Sequence, residues 1–154
     1  MTIKERIVAD LTAAMKSKDS ARLSVVRMLK AKMLEAEVAL RGKRGLDYQL
    51  EDAEAQTVIA AYAKQRRDSI DAYRNGGRSD LAAKEEAELL LIQAYLPRQL
   101  TPEEVRAVVR EAIAAVGATS AKEMGAVMKF VAPRVKGLAD GKVVNELVRE
   151  LLGP

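Results

Sequence analysis

Three observations predict an all-α fold for this chain of 154 residues. Aromatic residues make up 3% of the chain and hydrophobic residues 49%, so the core must consist mainly of Ala, Leu, Val and Met, which suit closely packed helices. Apolar residues recur with helical period, and no sustained alternation predicts a strand. The first proline is Pro97, so everything before it lacks this helix breaker. We expect an N-terminal four-helix unit followed by a small three-helix C-terminal domain.

The first two helices are predicted from their N-caps. Thr2 and Glu5 have the spacing of a capping box, which predicts a helix over about residues 3–16. Asp19 is a suitable N-cap for a second helix over about residues 20–41.

The next two helices are predicted from the residues that end them. A helix over about residues 50–74 stops at Asn75-Gly76-Gly77, and another over about residues 79–95 stops before Pro97. Short connections between long amphipathic helices favour antiparallel neighbours. We therefore predict a four-helix domain that spans residues 1–97.

Three shorter helices are predicted in residues 98–154, which we expect to form a second domain. Each has its own start signal. The signals are Thr101 with Pro102 for a helix over 102–116, Ser120 with Glu123 for a helix that ends near 131 before Pro133, and Asp140 for a helix over 141–152.

Several charged residues fall on the apolar faces of the predicted helices. Arg66 lies within the apolar stripe of helix 3, and Glu85 and Glu88 lie on the inward side of helix 4. Unpaired buried charge is costly, so we predict that Arg66 pairs with Glu85 or Glu88 and fixes the register of the bundle. A role of the two glutamates as acid/base groups is the less favoured alternative, because no nucleophile, metal partner or cofactor motif accompanies them.

The residue types that are missing exclude much catalytic chemistry. The chain contains no His and no Cys, which excludes Ser-His-Asp and Cys-His catalysis, imidazole or thiolate metal sites, and disulfides. The segment from Gly137 to Val143 superficially resembles a phosphate loop, but the glycine spacing is one residue short and Val143 stands where Ser or Thr is needed. We expect no cofactor, no metal and no catalysis by this chain alone.

Neither charge nor hydropathy patterning predicts a leader or a membrane span. Charged residues occupy the positions after Met1 where a signal peptide would be apolar, and the longest uncharged runs are well short of about 20 residues. The net charge is +4, with a local surplus between Lys16 and Arg44, where nine basic residues face only three acidic ones. We expect a soluble, cytoplasmic protein with no membrane partner.

One basic surface is predicted in the C-terminal domain. Five basic side chains point away from the predicted core and could contact phosphate groups: Lys122, Lys129, Lys136, Lys142 and Arg149. On the residues alone, ordinary solvated helix charges are the favoured interpretation. Gly125 lowers helix stability without an evident turn, so we expect another backbone or a partner to approach closely there.

The sequence resembles the GatB/YqeY domain family. The stretches that carry the resemblance are Lys64-Gln-Arg-Arg-Asp-Ser69, Gly77-Arg-Ser-Asp-Leu81, Lys84-Glu85, Glu88-Leu89, Tyr95-Leu-Pro97, Met124-Gly-Ala-Val-Met-Lys129, Lys136-Gly-Leu-Ala-Asp140, Val144-Asn-Glu-Leu-Val148 and Leu152. Together they cover nearly the whole chain. The N-terminal stretches are similar to free-standing YqeY-like proteins, and the C-terminal ones also to the tail of the B subunit of the glutamine-dependent Asp/Glu-tRNA amidotransferase.

The resemblance implies a function in binding. In the amidotransferase the tail engages tRNA while other parts do the chemistry, so a module associated with tRNA or another RNA is the leading hypothesis. A protein–protein adaptor that uses the surface around Gly125 is the first alternative. An accessory component with carbon–nitrogen ligase activity and glutamine as the amide donor, an activity that the family resemblance implies, is the second. Salt-dependent RNA binding, salt-insensitive protein binding and glutamine-dependent product formation distinguish the three.

Overall fold

The computed structural model describes residues 1–154 and contains helices and no strand, which confirms the prediction of an all-α chain. The helices are α1 (Ile3–Ser17), α2 (Ser20–Arg44), α3 (Asp52–Asn75), α4 (Ser79–Gln93), α5 (Pro102–Val116), α6 (Met124–Val135) and α7 (Gly141–Leu152). A 3₁₀ turn over Ala121–Glu123 leads into α6.

The chain divides into two compact units. The N-terminal unit, Met1–Leu96, contains α1 to α4, and the C-terminal unit, Pro97–Pro154, contains α5 to α7. In the N-terminal unit α3 packs against α4, α1 packs against α2, and α2 also contacts α3 and α4. In the C-terminal unit each of the three helices contacts the other two.

The core of the N-terminal unit draws on all four of its helices. Each contributes one large side chain with no exposed surface, namely Ile7, Leu29, Ile59 and Ile92. The remaining space is filled by other apolar residues, among them Ile3, Met33 and Leu50, and by the rings of Tyr62 and Tyr95. The low aromatic content therefore still allows a continuous core.

The core of the C-terminal unit is built almost wholly from valine. The side chains without exposure or nearly so are Val105 and Val109 of α5, Val127 and Val131 of α6, and Val144 and Val148 of α7. Leu100, in the segment before α5, donates its backbone N–H to the carbonyl of Leu138 at 2.7 Å. That bond ties the start of the unit to the turn before α7.

The predicted caps are confirmed. Thr2 and Glu5 form a reciprocal capping box at α1, and Ser120 and Glu123 form another at the 3₁₀ turn. Pro102 occupies the first turn of α5. These local hydrogen bonds satisfy backbone groups that a helix end leaves without partners.

Four predicted helix ends are wrong. The second helix continues to Arg44 rather than ending near residue 41, and the fourth ends at Gln93 rather than near residue 95. The third helix begins at Asp52 rather than at residue 50, because Leu50 is buried outside the helix and its N–H is bonded elsewhere. The sixth helix does not stop before Pro133 but continues to Val135. Proline removes one backbone hydrogen bond, but the last turn keeps Val135 in the core next to Val131, and this burial offsets the loss.

Candidate nucleic-acid interface

Three of the five predicted basic residues lie on or beside α6, and we refer to them as the α6 row. All three are exposed: Lys122 lies in the 3₁₀ turn before α6, Lys129 on α6, and Lys136 directly after its last residue. The buried face of α6 carries Val127 and Val131, on the side opposite Lys129.

The other two predicted residues form a second row on α7. Lys142 and Arg149 are exposed, are again seven residues apart, and lie opposite the buried Val144 and Val148. Because α6 and α7 are separate helices that pack against each other, the structure arranges the five side chains as two rows rather than one.

The N-terminus of α7 is occupied by a side chain of this chain. Asp140 Oδ1 accepts the backbone N–H of Lys142 at 3.1 Å. A carboxylate at this end uses one of the amides that a phosphate would need and adds negative charge. The terminus of α7 therefore has one amide fewer to offer an anion.

Local carboxylates leave most of the basic side chains unpaired. Glu123 is held by the N–H groups of Thr119 and Ser120, whose hydrogen bonds place the pKa of Glu123 below its ordinary value. The side chains of the α6 row and of Arg149 make no ion pair within the chain. This arrangement can contact phosphate oxygens, and it offers no group suited to acid–base chemistry.

The space around Gly125 corrects one expectation. A Cβ added to Gly125 would meet no atom within 4 Å other than its chain neighbours and the backbone of its own helix, so no other backbone segment of the chain approaches it. Of the two predicted possibilities, another backbone or a partner, the structure therefore leaves the partner, because this part of the helix lies on an open face. The residue is exposed, and the approach of a partner there stays a prediction.

The predicted pairing of Arg66 in the N-terminal unit is confirmed. Its Nη1 lies 2.5 Å from Oε2 of Glu85 and 3.2 Å from Oε2 of Glu88, and its Nη2 donates to the hydroxyl of Tyr62. Burial lowers the pKa of Arg66, but the hydrogen bonds with Tyr62 and Glu85 outweigh this and raise it overall. One guanidinium thus holds both carboxylates, which favours a structural role over an acid/base role.

A second buried charge is Glu37 of α2, whose side chain is 5% exposed. Its Oε1 accepts from Lys4 Nζ and from the backbone N–H of Leu50 at 3.1 Å. Arg41 Nη2 lies 3.8 Å from Oε2. Burial is the largest influence and raises the pKa of Glu37, but these donors together outweigh it and lower the pKa below its ordinary value.

A third polar cluster, which the sequence did not indicate, surrounds Tyr95. The Tyr95 hydroxyl donates to Asp10, and the guanidinium of Arg6 lies 5.1 Å above the Tyr95 ring. Burial, followed by the hydrogen bond to Asp10, raises the pKa of Tyr95 to about 12. Asp10 precedes Tyr95 by 85 residues, so no local spacing could have predicted the pair.

Two further features concern metal binding and the crossing of a membrane. The structure brings together no group of three or more acidic side chains that could hold a metal ion. No helix of the chain has both the length and the apolar character that crossing a bilayer requires.

The sequence matches one family model and is similar to several fungal proteins. A family model described as Yqey-like protein matches residues 4–152. The protein named "Altered inheritance of mitochondria protein 41, mitochondrial" is similar in several fungi. The Eremothecium gossypii protein is 38% identical over 56% of this chain and 45% of its own length. The Saccharomyces cerevisiae protein (strain YJM789) is 33% identical over 56% and 44%. The Pyrenophora tritici-repentis protein is 28% identical over 96% and 80%.

The match thus spans less than half of the first two relatives. The expectation of a cytoplasmic location is contradicted by these relatives, since each carries the word mitochondrial in its name. The absence of cysteine and the charged residues after Met1 argued only against a disulfide-forming secretory route. It could not distinguish among the compartments in which disulfides are rare.

Proposed function

We propose that this chain, which belongs to the Yqey-like protein family, is a binding module associated with tRNA or another RNA. The observation that carries the proposal is the pair of basic rows on α6 and α7, formed by Lys122, Lys129, Lys136, Lys142 and Arg149. Exposed cations on rigid helices contact the phosphate backbone, which dominates the affinity of proteins for nucleic acids. The resemblance of this unit to the tail of a tRNA-handling enzyme also supports association with RNA.

The geometry favours recognition of backbone and shape over base sequence. The C-terminal unit presents no exposed aromatic side chain on which a base could stack, since Phe130 is partly buried and lies against Arg134. With a net charge of only +4, binding should be weak and strongly dependent on salt.

The test is the affinity for bulk tRNA, measured by fluorescence anisotropy across a salt series. The wild type is expected to bind with a Kd on the order of 10⁻⁴–10⁻⁶ M near physiological salt. The double variant Lys129→Ala with Lys142→Ala removes one cation from each row. Its slope of log affinity against log salt should be shallower by roughly two units, one for each lost contact.

The matched control is Lys43→Ala with Lys84→Ala. These two lysines are exposed, lie in the N-terminal unit, and remove the same total charge. The control should keep the wild-type slope. Equal slopes for both double variants would show that the two rows are ordinary solvated charges that do not contact RNA. The adaptor hypothesis would then be favoured.

We propose further that residues 1–97 form a four-helix domain and residues 98–154 a three-helix domain, each able to fold alone. Separate cores around Ile59 and around Val109 support this division. Circular dichroism of a fragment of residues 98–154 should show helix and cooperative melting. Its midpoint should be lower than that of residues 1–97, because small domains bury less of their surface. An unstructured fragment beside a full-length chain that melts in one transition would contradict the division.

A further inference from the structure

The N-terminal unit contains a cleft between α1 and α2 that no side chain of the chain fills. Its volume is about 160 Å³, several times the roughly 30 Å³ that one water molecule occupies. Val8 of α1 and Leu34 of α2 stand on its two walls, and Met33 lies between them. We call this feature the α1–α2 cleft.

Large apolar side chains are exposed around the α1–α2 cleft. Val8 is 51% exposed, Leu34 is 52% exposed, and Val38, one turn after Leu34 on α2, is 55% exposed. Val8 and Leu34 line the cleft together with the buried Ile7 and Met33, and Val38 lies on α2 beyond the lining. Contiguous exposed apolar surface rimmed by polar residues is typical of an interaction site.

The α2 helix carries two exposed cations along the cleft: Lys30 lines the cleft, and Arg27 lies one turn before it. Arg27, Lys30, Leu34 and Val38 follow one another at steps of three or four residues, so cations and apolar residues form one continuous stripe. No carboxylate of the chain pairs with either cation. The carboxylate in the lining, Glu37, is already bonded by Lys4 and the N–H of Leu50, and Glu35 of α2 pairs with Lys32.

We propose that the α1–α2 cleft docks an acidic amphipathic helix of a partner protein. A groove between two adjacent helices accepts a third helix whose apolar residues recur at i, i+3 or i+4, and i+7. Those residues cover Val8 and Leu34, and flanking glutamates or aspartates face Arg27 and Lys30. The proposal concerns the N-terminal unit only and is independent of RNA binding by the C-terminal rows.

The mixed character of the stripe favours a protein helix over other occupants. RNA would use Arg27 and Lys30 but would leave Leu34 and Val38 without apolar contacts. A second copy that packs through the same stripe would bring no carboxylate opposite Arg27 and Lys30, because the stripe itself carries none.

The experiment uses three synthetic peptides of about 18 residues, roughly five helical turns. The first carries Leu at helical spacing with Glu on the flanks. The second has the same composition with Leu spread around the helix, and the third has Lys in place of Glu. Fluorescence anisotropy with the full chain should show binding of the first peptide at least about tenfold tighter than binding of the others, since both apolar register and charge contribute.

Variants of exposed residues then locate the site. Leu34→Ser should weaken the first peptide about fivefold or more, and Arg27→Glu with Lys30→Glu about tenfold or more. Leu90→Ser, at a residue 70% exposed on α4, is the matched control and should bind as the wild type does. Lys129→Ala with Lys142→Ala should also leave peptide binding unchanged, which separates this proposal from the RNA proposal.

Four outcomes would overturn the proposal. Equal binding of the first two peptides would show that apolar spacing is not recognised, and an unchanged affinity of Leu34→Ser would place the site elsewhere. A dimer in sedimentation that Leu34→Ser disperses would assign the cleft to a second copy. Loss of tRNA binding in the Arg27→Glu, Lys30→Glu variant, without peptide binding by the wild type, would assign the stripe to RNA.

Discussion

Replacement of Glu37 by Ala is expected to lower the free energy of unfolding by about 3 kcal/mol, an effect among the largest in the chain. The carboxylate is almost fully buried and accepts the N–H of Leu50, which is itself buried outside any helix. Its removal leaves that N–H without a partner and opens a cavity beside α2. Urea denaturation of the full chain at neutral pH measures the change.

The matched control for this variant is Glu35→Ala. Glu35 lies on the same helix, its side chain is 68% exposed, and it reaches only Lys32 at 3.5 Å. Exposed ion pairs of this kind contribute at most about 1 kcal/mol. A loss of similar size in both variants would contradict the role assigned to the buried carboxylate.

The pH dependence of stability gives an independent readout for Glu37. Because the pKa of Glu37 is lower in the folded chain than its ordinary value of 4.5, the ionised carboxylate stabilises the fold above that value. This contribution is lost as the pH falls through the lower folded pKa. The stability difference between the wild type and Glu37→Gln should therefore be largest near neutral pH and should shrink below 4.5.

Local signals in the sequence predicted the helices and several of their ends. The capping boxes at Thr2 and Ser120 depend on residues three positions apart, so their spacing is visible directly. Helical periodicity also placed Arg66 on an apolar face, and the cost of an unpaired charge then required a carboxylate from the next helix. The structure has both of the glutamates that this argument named.

Contacts between distant segments could not be predicted in the same way. Glu37 is buried on α2, and its partners Lys4 and Leu50 lie 33 and 13 residues away in the sequence and are set by packing. The continuation of α6 through Pro133 likewise depends on burial of Val135, which outweighs the local tendency of proline to end a helix.

The candidate interface was partly predictable, because helical periodicity shows which side chains face away from the core but not where a capping side chain lies. Helical periodicity places Lys129 on the outer face of α6 once Val127 and Val131 are assigned to the core. The side-chain position of Asp140 at α7 could not be read from periodicity, although Asp140 was identified as a cap. Its carboxylate accepts the amide of Lys142 and thereby removes a phosphate site that a bare helix N-terminus would have offered.

Replacement of Arg66 by Met is expected to lower the free energy of unfolding by about 2–3 kcal/mol, because two partly buried carboxylates lose their common counter-charge. The exposed fractions are 14% for the Glu85 side chain and 22% for that of Glu88, so water can only partly solvate them. Without the guanidinium the two negative charges, one turn apart on α4, also repel each other. Urea denaturation at neutral pH measures the loss.

Two further variants separate the loss of charge pairing from the loss of packing. Arg74→Met is the matched control, because Arg74 pairs with Glu86 through side chains that are 58% and 42% exposed, and it should change stability by less than about 1 kcal/mol. Adding Glu85→Gln to Arg66→Met should recover part of the lost stability, since one unpaired charge is then removed. If the double variant is less stable than Arg66→Met alone, the guanidinium acts mainly by packing on Tyr62, and the electrostatic account is wrong.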